Sequence, residues 1–227
     1  MSLLTPIGQD PQGLARQKFI GDVVLSQEFV PAANTSTALT YTGALLLQSI
    51  FLANPGGVAT YTIDSAANIL AAIAPQYAYN QNANLPAGTP VYQGIQPGTS
   101  WRIKIVNASA NAIAVQATAN TGVTVNRGSV AASVSRDFLV TVNSGGQAQT
   151  CNVATTNGSA VVTGFTTAQL AAMQVGMIVT NAVAGLQGTT ILAINITTGS
   201  VTMSGNANAT NANVSVNYSP TVTIDGL

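Results

Sequence analysis

The sequence predicts a mainly β protein with two domains, each a β-sandwich or a β-barrel-like fold. Short segments that alternate apolar and polar residues are separated by Gly, Asn and Pro, which is typical of strands joined by turns. Charged residues are absent from residues 138–224, which marks a change of composition. A chain of 227 residues is long enough for two domains of about 100 residues each. We therefore assign residues 17–143 to a first β-sandwich domain, 144–149 to a linker and 150–219 to a smaller β-domain.

The clearest local signal is a strand that runs directly into a helix. Residues 58–63 alternate as a strand does. Asp64 follows as the predicted N-cap, because its carboxylate can accept from the open amides of a first turn. Pro75 is predicted to end the helix, because the residue before a proline disfavours the helical region. The helix is therefore predicted over about 64–74, and an apolar stripe at helical spacing is predicted to face a sheet. The stripe consists of Ala66, Ile69, Leu70 and Ile73.

The other strands of the first domain follow the same period of two. The alternation after residue 100 places Trp101, Ile103 and Ile105 on one face and Arg102 and Lys104 on the other. Residues 19–30 are predicted to form a strand pair or one bent strand. Further strands are predicted at residues 37–42, 44–52, 101–106, 112–117, 122–126, 129–132 and 134–142.

The second domain is predicted to contain short strands, one hairpin turn and a short helix. Asn157–Gly158 fits a hairpin turn, since both residues adopt a positive φ at low cost. A short helix is predicted at about 166–173, with Leu170 and Met173 facing inward. Pro220 is predicted to release a C-terminal tail, residues 220–227. Strands are predicted at residues 151–155, 160–165, 175–179, 189–196, 200–203 and 213–218.

The N-terminal segment has no sustained period, so residues 1–16 are predicted to form an arm. Its apolar side chains Leu3, Leu4 and Ile7 are candidates for contact with a neighbouring subunit or partner. A frayed terminus is the alternative.

The second candidate interface is a long irregular loop at residues 76–100. Loops of this length within compact domains are usually functional or interfacial. Tyr77, Tyr79 and Tyr92 are the candidate contact residues, because tyrosine is enriched at protein interfaces. The alternative is that these tyrosines lie over the edge of a sheet.

The composition argues against several classes of partner. Only 5% of residues are charged and the net charge is zero, so no electrostatic field attracts nucleic acid or a membrane surface. Six basic residues are too few for the clustered phosphate contacts of non-specific nucleic-acid binding. No apolar run reaches the ~18 residues of a transmembrane helix, and the first residues do not resemble a signal peptide. We expect synthesis in the cytoplasm, with neither nucleic acid nor membrane as a partner.

Enzymatic function is also disfavoured. The sequence has no histidine, which excludes Ser-His-Asp and Cys-His arrangements and imidazole metal ligands. Asp22 and Glu28 are the nearest pair of acids that glycoside hydrolysis would need. Asp137 is interpreted as the neighbour of Arg136 at a strand start. Cys151 is the single cysteine and is predicted to be a small buried residue. We predict no enzyme, cofactor, metal ion or small-molecule substrate.

Several short runs resemble structural proteins of tailed bacteriophages. The second domain is similar to a small β-module that recurs in their virion proteins, and the first is similar to capsid decoration and head-fibre proteins. The second-domain runs are GSAVVTG at 158–164, Leu170, VGMIV at 175–179, GTTILAI at 188–194 and VTMS at 201–204. The first-domain runs are TIDSAA at 62–67, WRIKIVN at 101–107, TGVTV at 121–125 and SRDFLV at 135–140.

This resemblance implies a virion structural protein on the exterior of the capsid. It implies an oligomer, often a homo-trimer, that binds the major capsid protein and stabilises or decorates the head. The first domain and the arm are then expected to grip the coat lattice while the second domain projects. The same runs also occur in tail and fibre proteins. The alternative is therefore a tail-fibre or receptor-binding module that contacts glycans of the host cell surface.

Overall fold

The computed structural model describes residues 33–78 and 95–227, without the side chains of residues 75–78. The predicted arm at 1–16, the strand pair at 19–30 and most of the loop at 76–100 lie outside the described residues. The fold is mainly β, as the sequence predicts. In the described ranges, eight strands precede residue 149: β1 (Ala38–Tyr41), β2 (Ile50–Ala53), β3 (Ala59–Ile63), β4 (Ser100–Asn107), β5 (Ile113–Ala117), β6 (Val123–Asn126), β7 (Ser129–Val130) and β8 (Ser135–Ser144). Seven follow: β9 (Gln149–Thr155), β10 (Val161–Thr163), β11 (Ile178–Val179), β12 (Ile191–Asn195), β13 (Ser200–Met203), β14 (Asn211–Ser219) and β15 (Thr221–Gly226).

The first eight strands and β15 form two sheets that share one core. The four-stranded sheet has the order β1-β3-β5-β7, and the five-stranded sheet has the order β2-β4-β8-β15-β6. Phe51 on β2 makes edge-on ring contacts with Tyr41 and Tyr61 of the other sheet, with centroid distances of 4.8 and 5.9 Å. These aromatic side chains are almost fully buried, so the apolar faces of the two sheets pack against each other as in a β-sandwich.

The predicted faces of β4 are confirmed. Ile103 and Ile105 are buried, Trp101 packs against the same core, and Arg102 and Lys104 lie on the outer face. The Trp101 indole N–H donates to the carbonyl of Leu46 at 2.7 Å, which satisfies the polar atom of a half-buried ring.

Two helices lie beside this sandwich: α1 (Gly43–Leu46) and α2 (Ala66–Ala78). The predicted apolar stripe of α2 is confirmed, since its four members are at most 3% exposed. The prediction of a strand over residues 44–52 is wrong in its first half, where α1 forms. A Cβ atom on Gly43 would lie 2.7 Å from the Cβ of Ala72, so α1 packs closely on α2. The alternation of apolar and polar residues along the sequence cannot reveal this contact between distant segments.

The predicted ends of α2 require two corrections. Ser65, rather than Asp64, accepts at its hydroxyl from the N–H of Asn68 (3.2 Å), the usual bond of an N-cap. Asp64 accepts instead from the backbone N–H of Ser65 (2.7 Å) and the side-chain amide of Asn68 (2.8 Å). The helix also continues through Pro75 to Ala78. The conformational bias before a proline is a preference that packing of the apolar stripe overrides.

Strands β9–β14 form the second core, hereafter the barrel (residues 149–219). Their order is β11-β14-β9-β10-β13-β12, and the sheet closes because β11 also bonds to the start of β12. In this closure the N–H of Ile191 donates to the carbonyl of Met177 at 2.9 Å. The predicted helix is α3 (Thr167–Ala172), with a capping box between Thr166 and Gln169. Leu170 and Met173 are buried as predicted.

The C-terminal segment differs from the predicted tail. Residues 221–226 form β15, which lies between β8 and β6 in the five-stranded sheet. Val222 and Ile224 are fully buried in the sandwich core. The chain therefore leaves this sheet at Ser144, forms the barrel, and returns at Thr221 directly opposite Ser144. The barrel is an insertion between two neighbouring strands of one sheet.

The predicted linker at 144–149 is held by hydrogen bonds. The N–H of Gly145 donates to the side-chain carbonyl of Gln174 (2.8 Å), and that of Gln147 donates to the carbonyl of Ala172 (2.9 Å). A Cβ atom on Gly145 would lie 1.7 Å from the carbonyl oxygen of Ile95. The absence of a side chain therefore allows this close approach of two backbone segments.

Candidate functional site

The interface residues predicted from the sequence remain predictions. Leu3, Leu4, Ile7, Tyr79 and Tyr92 lie outside the described residues. Tyr77 falls within α2, where the backbone alone is described. The described part offers charged, nucleophilic and polar side chains as its candidate functional groups.

Most charged side chains of the described part lie on or near the five-stranded sheet. The Lys104 ammonium is 4.0 Å from the Asp137 carboxylate, and both side chains are nearly half exposed. Arg136 donates to the carbonyl of Ser129 (2.6 Å) and lies 6.0 Å from the ring centroid of Phe138. Asp137 therefore pairs across the strands with Lys104. Ion pairs at this exposure contribute about 0–1 kcal/mol, so these contacts orient side chains more than they stabilise the fold.

A second acid on this sheet is held by an amide. The Asp225 carboxylate accepts from the side-chain amide of Asn126 at 2.7 Å. Arg102 lies in the same row across the outer face, separated from Asp225 by Leu139. These residues are spaced along a sheet surface and do not converge on one point.

The nucleophilic side chains of the second core are deeply buried. Cys151 is fully buried, as predicted, and burial raises the pKa of its thiol to about 11. The thiol is therefore protonated at neutral pH and is a poor nucleophile. Burial also raises the pKa of Tyr218 well above its ordinary value of 10.0, and the nearby Cys151 adds to this effect. Tyr218 packs against Phe165 with a centroid distance of 5.7 Å, which is a contact of the core.

A shallow cleft of about 330 Å³ lies where the barrel meets the N-terminal end of α2. Its surface carries hydroxyl, amide and backbone groups together with the apolar side chains of Ala67 and Ala148, and it has no charged side chain. The Thr150 hydroxyl donates to the side-chain carbonyl of Asn217 at 3.0 Å, which orients one wall. Such a surface can form hydrogen bonds with a neutral hydroxylated molecule. The lining includes Ser65, Asn120, Thr121, Gln149, Thr150, Asn217 and Ser219.

The comparisons were made with protein-family models, with curated proteins and with solved structures. None of them finds a match. Two further observations concern the described residues alone. They contain no group of three His, Cys, Asp or Glu side chains placed to hold a metal ion. No helix in the described ranges is long and apolar enough to cross a membrane.

Sequence reasoning did not identify the cleft. Its walls come from α2, from the segment before β6, and from β9 and β14, which are far apart in the sequence. The lining residues are common polar types in a chain rich in Asn, Thr and Ser. No local pattern distinguishes them from turn residues. The pairing of β9 with β14 forms one wall, and the bond from the N–H of Ala66 to the carbonyl of Thr121 holds the other wall together.

Proposed function

We propose that this chain is a virion structural protein that binds the outer capsid surface as an oligomer and decorates or stabilises the head. The observation that carries the proposal is the neutral barrel, which is held between two paired strands of the sandwich. Residues 138–224 contain no charged side chain, so the barrel offers hydrogen-bonding and apolar groups alone. A neutral surface of this kind can contact protein neighbours with little dependence on ionic strength. The resemblance to tailed-phage decoration and head-fibre proteins supports the same role.

In the proposed mechanism, the sandwich and the arm at residues 1–16 hold the coat lattice, and the barrel projects. The partner is the major capsid protein, and the oligomer is a homo-trimer. Stabilisation comes from burying neutral surface between coat subunits, at roughly 25 cal/mol for each Å² of apolar area. Removal of the protein is then expected to lower the capsid's resistance to heat or osmotic shock.

Electron microscopy of intact particles tests this proposal. A labelled antibody against the barrel is expected to decorate the head, and label confined to the tail would overturn the assignment. A chain lacking residues 1–13 should bind isolated heads with lower occupancy than the full chain. Unchanged occupancy would exclude the arm as a capsid anchor.

A receptor-binding module of the tail fibre is the second candidate, and the neutral cleft favours it. Saccharides present hydroxyl groups, which match the hydroxyl and amide lining of the cleft. For this function, Gln149→Ala should weaken binding of the purified protein to host surface glycans. Asn152→Ala is the matched control, because Asn152 is exposed on the same strand and does not line the cleft. Equal binding by both variants would exclude the cleft as the glycan site.

A further inference from the structure

Among the described residues, strand β12 has an open edge along most of its length. At its start, Ile191 bonds to the β11 side through the N–H of Gly176 (2.8 Å) and the carbonyl of Met177 (2.9 Å). From Leu192 onward, β13 is the one described strand that pairs with β12. An open edge presents backbone N–H and C=O groups that can pair with a further strand.

The exposed apolar side chains of the barrel are concentrated near this edge. Leu192 and Ile196 are each 56% exposed, and Val175 is 52% exposed beside the bond from Gly176 to Ile191. Val161 is 43% exposed and lies in the row that runs through Thr202 to β12. We call these side chains the edge patch: Val161, Val175, Leu192 and Ile196. Among the described residues, they are all of the large apolar side chains of residues 149–219 that are exposed.

The edge also lacks the charged residues that usually protect such strands. Natural edge strands commonly carry Lys or other charges, Pro, or a bulge, which discourage pairing with another chain. Here a bulge between Ile191 and Ala193 is present, but the whole barrel contains no charged residue. A second copy of the barrel therefore brings no like charge to this edge. It brings an equally neutral surface with the same apolar side chains.

We propose that the edge patch and the open part of β12 form the contact with a second copy of this chain. The contact buries the exposed apolar side chains and gives the open backbone groups polar partners. This inference rests on the oligomer of the proposed function and adds one contact within it: pairing of β12 with β12 is two-fold and joins two chains, whereas a homo-trimer is closed by a further, heterologous contact. Neutrality favours a second copy over a charged partner, because a charged group buried here would lack a counter-ion.

The test is the mass of the purified full-length chain, measured by sedimentation or light scattering over a range of concentrations. The wild type is expected at an even multiple of the 22.9 kDa monomer mass. The double variant Leu192→Lys with Ile196→Lys is expected at half the wild-type mass, because pairing of the two edges would bury unpaired ammonium groups. The matched control is Val58→Lys with Val134→Lys, which changes side chains that are 76% and 49% exposed outside the barrel. The control is expected to keep the wild-type mass.

Three outcomes would overturn the inference: a monomeric wild type, a Lys variant with the wild-type mass, or a control that dissociates equally. A milder variant, Leu192→Thr with Ile196→Thr, keeps residues that favour strands and guards against loss of folding. It should raise the dissociation constant at least tenfold. This measurement needs no phage particle, so its failure is distinguishable from failure of the capsid assignment. Antibody label on the head with a monomeric chain would remove the interface and leave the location on the capsid in place.

Discussion

The C-terminal strand permits a sharp test of the fold. Ile224 is fully buried and lies opposite Val140 on β8 and Val125 on β6. Replacing a buried Ile by Ala removes apolar contacts and leaves a cavity, which typically costs 2–5 kcal/mol. Because Ile224 lies between two neighbouring strands, we expect Ile224→Ala to lower the free energy of unfolding by about 3 kcal/mol. In an unattached tail, the same change would cost less than about 0.5 kcal/mol.

Urea unfolding of Ile224→Ala and of a control variant decides between these outcomes. The matched control is Leu227→Ala, because Leu227 ends the same segment but is 51% exposed. Ile224→Ala should shift the midpoint strongly with little change of slope, and Leu227→Ala should lie within about 0.5 kcal/mol of the wild type. A loss below about 0.5 kcal/mol for Ile224→Ala would refute the placement of β15 inside the sheet.

Three more predictions follow from the junction and the barrel. Replacing residues 145–220 with an Asn-Gly turn should leave a folded sandwich, because β8 and β15 are paired neighbours; loss of cooperative unfolding would contradict this. Gly145→Ala should lower the free energy of unfolding by at least about 1–3 kcal/mol, since the new methyl group would clash with the backbone of Ile95. The control Gly56→Ala places its methyl group in open space and should lower it by less than about 1 kcal/mol. Burial raises the pKa of Tyr218 in the folded chain. The free energy of unfolding therefore keeps its full value below pH 10, near the pKa of tyrosine in the unfolded chain, and falls as the pH rises above it. In urea titrations above pH 10, Tyr218→Phe should reduce the fall in the free energy of unfolding by about 1.4 kcal/mol per pH unit. An unchanged slope of that free energy against pH would contradict the role of Tyr218.

Strand and helix faces were accessible from the sequence because they depend on local periods. Alternation located Ile103 and Ile105 on the inner face of β4, and helical spacing located the buried stripe of α2. The capping box of α3 also joins residues only three apart, Thr166 and Gln169. These features need no knowledge of the partner that covers each apolar face.

Local chemistry left the N-cap of α2 ambiguous, because two neighbouring residues each offer a side-chain oxygen that can accept the capping bond. Asp64 and Ser65 are both good N-cap residues, and in the structure the Ser65 hydroxyl accepts the N-cap bond from the N–H of Asn68. At Gly43, the close approach of α1 to α2 favours a helix in a segment whose apolar residues resemble a strand. Packing between segments therefore selected among conformations that the local sequence permits.

The sequence by itself determined the mainly β character, the neutral second half, the inward face of β4 and the buried stripe of α2. The tertiary structure alone decided that residues 221–226 return to the first sheet, that the barrel is an insertion, and that β12 has an open edge. The physical reason is that a strand's period specifies which side chains are buried but does not specify its neighbour. Strand order depends on pairing between residues far apart in the chain, and so do the cleft and the edge patch.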